Sequence, residues 1–311
     1  MAHRQPPDEV AIVAVAGVLR GYHDDARKAL PGVLDGSAED LHRFRISVRR
    51  ARSVVAVSAG VMPEEPRVAL RHSLRTIGRL SSPVRDLDVF TAELPDLAAQ
   101  AVGKDPKGLA ALVELAEAAR QRPAVSLEWA LRGPDGARLF EDWELASTSV
   151  PAGGVAPGAL ATDPALDVVD TWVWELFRSC RQKGREAVES DDLERWHDLR
   201  KSLKKLRYVL EAFDYLHDRK DLKAARRQLR RLQEHIGGLQ DCRVQGELVN
   251  EMRERAIAGR VESASDLATE IHLDVARRLA RIHAECTDAW QDFDTGDTKS
   301  VFKSLTAGRS A

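Results

Sequence analysis

The side chains with the most chemistry to offer are basic, and they come in blocks. His42-x-x-Arg45-x-Ser47-x-Arg49-Arg50-x-Arg52 opens the first, with five arginines between His42 and Arg52 and no acid. Arg67 to Arg85 holds five more, again without an acid. Arg195 to Arg207 sets six basic residues against Asp198, and Arg219 to Arg231 sets seven against Asp221. Guanidinium forks grip phosphate oxygens two at a time, and lysine adds point charge, so residues of these types in dense blocks suit an extended polyanion. The net charge of −2, from 47 basic and 49 acidic residues, would argue against such a ligand if the charges were mixed evenly. They are not: the neutralising acids lie elsewhere, as in Glu114 to Glu144 and Glu285 to Asp297. The local field decides what binds.

The elements that position these side chains are helices. Alanine, leucine, arginine and glutamate dominate, and no run alternates with period two. The pattern predicts helices over roughly 8–30, 39–59, 65–80, 84–101, 107–121, 164–189, 191–217, 219–236, 239–258 and 262–291. Asp40 and Asp192 mark starts, and Pro63, Pro66 and Pro83 punctuate the first half. Pro123 to Pro164 reads as the least helical stretch, with a turn at Gly133-Pro-Asp-Gly136 and a linker at Val150 to Gly158. No role is assigned to the segment from Lys104 to Gly158.

Shifted by 155 residues, the chain lies on itself. His42, Arg45, Ser47, Arg49, Arg50 and Arg52 fall on His197, Arg200, Ser202, Lys204, Lys205 and Arg207. Arg71, Leu74 and Arg75 fall on Arg226, Leu229 and Arg230, and Asp86 and Val89 on Asp241 and Val244. The sequence therefore reads as all-α, two pseudo-symmetric helical bundles from an internal duplication. The expected limits are one domain over 8–292, made of bundles 8–150 and 160–292, with a tail at 293–311.

Each repeat separates into two faces at about 100° per residue. Phe44, Val48, Ala51 and Val55 form an apolar stripe, and so do Leu199, Leu203, Leu206 and Leu210. Opposite them stand His42, Arg45, Arg49 and Arg52 with Arg50 flanking, and His197, Arg200, Lys204 and Arg207 with Lys201 and Lys205 beside them. The following helix of each repeat adds Arg71, Arg75 and Arg79 beside Leu70, Leu74 and Ile77, and Lys223, Arg226, Arg227 and Arg230 beside Leu229 and Leu232. Like charges at i, i+4 weaken a helix by a few tenths of a kcal/mol per pair. Stacking them without acids works against stability, and points to a ligand. The plainer reading is a solvated face crossed by acids from neighbouring helices.

These residues carry a resemblance. LHRFRISVRRARSVVAVS and WHDLRKSLKKLRYVLEAF are similar to the two copies of the signature of the CHAD domain, the conserved histidine α-helical domain. The family's second signature, a glycine turn followed by Asp-x-x-Val, resembles Arg85-Asp-Leu-Asp-Val89 and Gly237-Gly-Leu-Gln-Asp-Cys-Arg-Val244, with Ser82 at the glycine position in the first half. The resemblance spans about residues 8–292. It implies paired helical bundles whose basic residues bind inorganic polyphosphate and can bring a protein to polyphosphate granules. The histidines and basic residues named above are then the contact candidates. Neither an ExExK motif nor room for a CYTH triphosphatase domain is present, so a stand-alone member without enzymatic activity is expected.

Other chemistries fit less well. His23-Asp24, His197-Asp198 and His217-Asp218 are His-Asp dipeptides of the kind metal-dependent phosphohydrolases use. Arg43 replaces Asp198 in the first repeat, and neither HExxH nor HxH occurs. No metal or other cofactor is expected. His42 and His197 either hydrogen-bond phosphate or brace a neighbour. Asp86 and Asp241 read as carboxylates in a first helical turn, or as acids orienting a basic ligand residue. Of six tryptophans only Trp196 adjoins a basic block, which speaks against single-stranded nucleic acid, and no GxxxxGK[ST] is present. Binding of RNA, DNA or an acidic partner by the same faces is the alternative. The longest apolar run, Val10 to Leu19, falls well short of the ~20 residues needed to span a bilayer. With no signal-peptide pattern and three scattered cysteines, a cytoplasmic protein without membrane contact is expected. Oligomeric state and preferred polyphosphate length are not written in the sequence.

Overall fold

A computed structural model describes residues 9–103, 105–148, 157–190 and 192–307. It is all-α, as expected, with ten α-helices among the described residues: α1 (Ala11–Leu34), α2 (Ala38–Val57), α3 (Glu64–Ala101), α4 (Pro106–Arg132), α5 (Pro134–Ala146), α6 (Ala165–Ser190), α7 (Leu193–Ala212), α8 (Arg219–Ala258), α9 (Glu262–Phe293) and α10 (Gly296–Leu305). The repeat is visible in the elements. α2 and α7 begin and end 155 residues apart, and α3 and α8 begin 155 apart.

Several boundaries differ from those read in the sequence. The helices placed at 65–80 and 84–101 are one helix, α3, with Pro83 and Pro95 inside it. Buried Leu74, Ile77, Val84, Leu87 and Phe90 continue one apolar stripe past Pro83, which is itself exposed. Water can therefore take up the carbonyl that the proline leaves without a donor, and packing outweighs the breaker. In the same way 219–236 and 239–258 form α8, which runs through Gly237 and Gly238 on buried Leu232, Ile236, Leu239 and Cys242. The glycine turn expected there is helix. Asp86 and Asp241 consequently lie in mid-helix, so they are not first-turn carboxylates.

The stretch from Pro123 is largely helical too. α4 reaches Arg132, and Gly133 caps α5 with Pro134 at its first position, where a missing N–H costs nothing. Of the expected linker, 150–156 lies outside the described residues. The expected tail contains α10, whose Phe302 stacks on Phe177 with ring centroids 4.1 Å apart.

Two compact units emerge, and they do not coincide with the two sequence halves. The first takes the described residues up to Gly78, those from Ala130 to Glu234 and those from Asp288 onward. In it α1 packs on α2, α5 and α6, α6 on α7 and α10, and α2 directly on α7. Both predicted stripes are buried: Phe44, Val48, Ala51 and Val55 of α2, and Leu199, Leu203, Leu206 and Leu210 of α7. Trp143 donates its indole N–H to the Leu19 carbonyl at 2.9 Å, tying α5 to α1. Backbone bonds from Leu160 to Gly60 (2.7 Å) and from Ala11 to Asp163 (2.9 Å) join the start of the second repeat to the first.

The second unit comprises Arg79–Trp129 and His235–Thr287. Its core gathers Leu87, Phe90 and Leu94 of α3, Leu112 and Ala116 of α4, Val249 and Met252 of α8, and Leu267 and Ile271 of α9. Gln245 donates to Glu93 at 2.8 Å, and Arg120 pairs with Asp88 at 2.5 Å.

Candidate functional site

The two signature helices lie side by side in the first unit, and each is set by its own cap. Ser37 accepts the Asp40 N–H at 3.2 Å to start α2, and Asp192 accepts the Glu194 N–H at 3.0 Å to start α7. With the apolar stripes turned inward, the basic residues are left on the remaining surface. His42, Arg45, Arg49, Arg50, His197, Arg200, Lys204, Lys205, Arg207 and Arg226 are half-buried. Arg52, Arg71, Arg75, Arg79, Lys201, Lys223, Arg227 and Arg230 are exposed.

A group of these cations converges. Arg52 of α2 reaches solvent, yet burial and then the like charges of Arg75, Arg49 and Arg71 pull its guanidinium below the ordinary pKa. Lys205 of α7 is depressed by burial, then by Lys183 and Arg71, with Cys180 acting in the opposite sense. Arg71 on α3 thus stands near a cation of each repeat. The charges around Arg52 and Lys205 are almost all of one sign, and repulsion among them is the field that a multiply charged anion relieves.

Other basic residues are neutralised by acids. Arg50 pairs with Glu211 at 3.1 Å, and Arg207 approaches the other oxygen of the same carboxylate at 3.5 Å. Arg226 pairs with Asp214 at 3.1 Å, and Lys201 with Asp198 at 2.5 Å. The plain reading, acids reaching across, therefore holds for part of the surface only. Arg79 belongs to the second unit and does not share a unit with the rest. Lys223, Arg227 and Arg230 share the exposed flank of α8 within the first unit.

Tyr208 of α7 supplies a floor. Its buried ring lies under Arg207, 4.9 Å from guanidinium carbon to centroid, and under Arg49 at 5.8 Å. Such contacts orient a guanidinium plane and contribute about 0.5–1 kcal/mol each at exposed sites. The Arg49 Nε is buried without a hydrogen-bond partner in the protein. Arg45 donates to the Gly78 carbonyl of α3 at 3.4 Å.

Sequence reasoning missed Tyr208, Glu211 and Lys183. Lys183 sits on α6, where its ammonium donates to Ser202 Oγ at 2.7 Å. One signal was available: the 155-residue offset places Lys183 on Lys28, outside the signature but in register.

Two histidines of the His-Asp dipeptides have structural partners. His217 turns to Asp170 at 2.9 Å rather than to Asp218, with side chains only 1% and 7% exposed. His23 contacts Asp24 at 3.3 Å and packs against Phe140 and Trp143. Among the described residues, no three His, Cys, Asp or Glu side chains are grouped to hold a metal ion. Burial pushes the Cys180 and Cys286 thiols up to about 12, which leaves neither as a thiolate nucleophile at neutral pH. Among the described residues, no helix is long and apolar enough to cross a membrane.

Comparison with known proteins gives three findings. A family model described as the CHAD domain matches residues 17–250. No curated protein matches the sequence. Among solved structures, the CHAD domain from the plant Ricinus communis is similar with a TM-score of 0.67 at 21% identity, over 99% of this chain and 95% of that one. PptA from Streptomyces chartreusis is similar with a TM-score of 0.66 at 15% identity, over 91% of this chain and 100% of that one. At such identities the structural likeness speaks for the fold.

Proposed function

The chain belongs to the CHAD domain family, and from that premise we propose that it binds inorganic polyphosphate through the basic faces of α2, α3, α7 and α8, without turning it over. The observation that carries this reading is the gathering of Arg49, Arg52, Arg71 and Arg75 with Lys183 and Lys205, drawn from four helices, where burial and then neighbouring like charges lower the pKa of Arg52 and of Lys205. A protein keeps such repulsion where a polyanion supplies the missing charge. Arginine stays protonated throughout the physiological range, so these groups offer charge and paired donors and no general base. Attachment to polyphosphate granules in the cytoplasm is the corresponding cellular role.

The test is a competition titration at physiological salt. Labelled long-chain polyphosphate is displaced from the protein by unlabelled polyphosphate, RNA or duplex DNA matched in phosphate. Displacement by polyphosphate alone is expected. Equal displacement by nucleic acid would reduce the face to a general polyanion surface. Reversing Arg52, Arg71 and Arg75 to glutamate, all exposed, is expected to weaken binding by at least about a hundredfold while leaving helical circular dichroism unchanged.

A further inference from the structure

The duplication invites the assumption that both repeats contribute equally, and the side chains around matched arginines contradict it. Arg207 of α7 is held on two sides: its Nη1 donates to Gln233 Oε1 at 3.3 Å, and Glu211 lies 3.5 Å from its Nε. Gln233 is fixed in turn by donating to the Leu203 carbonyl at 2.9 Å. The counterpart of Arg207 is Arg52. The residues that correspond to Gln233 and Glu211 are Gly78 and Ala56, neither of which has a side-chain oxygen.

The difference extends along the face. Arg226 is bound by Asp214, and Arg50 by the same Glu211 that meets Arg207. The counterpart of Arg226 is Arg71, and Ala59 stands where Asp214 would be. The counterpart of Arg50 is Lys205, again opposite Ala56 rather than an acid. Gly78 also makes room. A Cβ at that position would come within 3.1 Å of Arg52 Nη1, so glycine lets the guanidinium lie against α3. Three positions, 56, 59 and 78, thus lack the acids and the amide that clamp Arg207 and Arg226 in the second repeat.

We propose that phosphate is read chiefly at one corner, formed by Arg52, Arg71 and Arg75 of the first repeat with Lys205 and Lys183 of the second, whereas Glu211 and Asp214 hold the matched arginines of the second repeat in internal ion pairs, and Gln233 accepts a hydrogen bond from one of them. The ligand class is a linear chain of phosphates that threads several cations at once. This rests on the polyanion-binding reading. It adds that Glu211 sets how many cations the ligand meets.

Three proteins test it against the unaltered chain, by titration with long-chain polyphosphate at several salt concentrations. Arg52→Ala removes a corner contact. Arg207→Ala with Glu211→Ala removes the matched arginine together with its acid, so that net charge does not change. Glu211→Ala alone releases Arg50 and Arg207. Arg52→Ala is expected to weaken binding about tenfold and to flatten the slope of log K against log salt by about 0.7, one contact on a single strand. The double variant loses Arg207 but frees Arg50, so it is expected to bind at least as tightly as the unaltered protein, with the slope steeper by up to about 0.7. Glu211→Ala is expected to steepen the slope by up to about 1.4, as two contacts are gained. Equal losses for Arg52→Ala and the double variant, or an unchanged slope on Glu211→Ala, would overturn the one-corner proposal and leave polyphosphate binding standing. No binding by the unaltered protein would instead overturn the function itself.

Discussion

Lys205 illustrates how a single side chain trades stability for a ligand. Its ammonium is held below the ordinary pKa of 10.5 by burial, Lys183 and Arg71. A lysine whose folded pKa lies under its unfolded value destabilises the fold while charged. That penalty is complete below the folded pKa and lifts as pH rises from there towards 10.5. Lys205→Met is therefore expected to raise the melting temperature of the ligand-free protein at neutral pH. The rise is about 1.5 °C for each kcal/mol of burial and repulsion relieved. The same variant should bind polyphosphate more weakly. Thermal melts with and without polyphosphate check both signs, and a variant that melts lower or binds as well would remove Lys205 from the site. At this scale the sequence was informative about which residues are basic and which way they face. It was silent about partners, because Glu211 meets Arg50 only once α2 lies on α7, across 161 positions of chain.

Helices were legible wherever an apolar stripe ran unbroken, and misread where a breaker interrupted it. α2 lies within two residues of its expected limits and α7 starts within two of its own, although Ser37 rather than Asp40 caps α2 and α7 ends at Ala212, five residues early. Pro83 and the Gly237-Gly238 pair looked like ends, but packing on both sides carries α3 and α8 through. The glycines allow a direct check. A Cβ at Gly237 meets nothing within 4 Å, and one at Gly238 meets only Ile282 at ordinary contact distance, 3.5 Å. Replacing both with alanine should stabilise the protein by about 1–2 kcal/mol, since glycine costs about 0.5–1 kcal/mol in a helix interior. Denaturant unfolding measures it. A turn with left-handed backbone at this point would give destabilisation instead.

For the whole molecule, the 155-residue offset revealed that the chain is doubled, but not how it is partitioned. The compact units draw on both halves, because contacts such as α1 on α6 and α2 on α7 join segments far apart in sequence. Periodicity within a helix is local information, whereas the choice of neighbour is settled by shape and burial over the full chain. The joins between repeats have a consequence for continuity of the chain itself. Gly60 and Val61 pair by backbone with Leu160 and Gly158, Ala11 pairs with Asp163, and two helix pairs, α1 with α6 and α2 with α7, pack on one another. Cleavage between Thr148 and Pro157 removes none of these contacts. Two fragments made separately should each be poorly folded, mix in a one-to-one ratio, and regain helicity and polyphosphate binding together. The peptide link would then be replaceable by affinity, and a duplicated protein would behave as a heterodimer that happens to be translated as one piece.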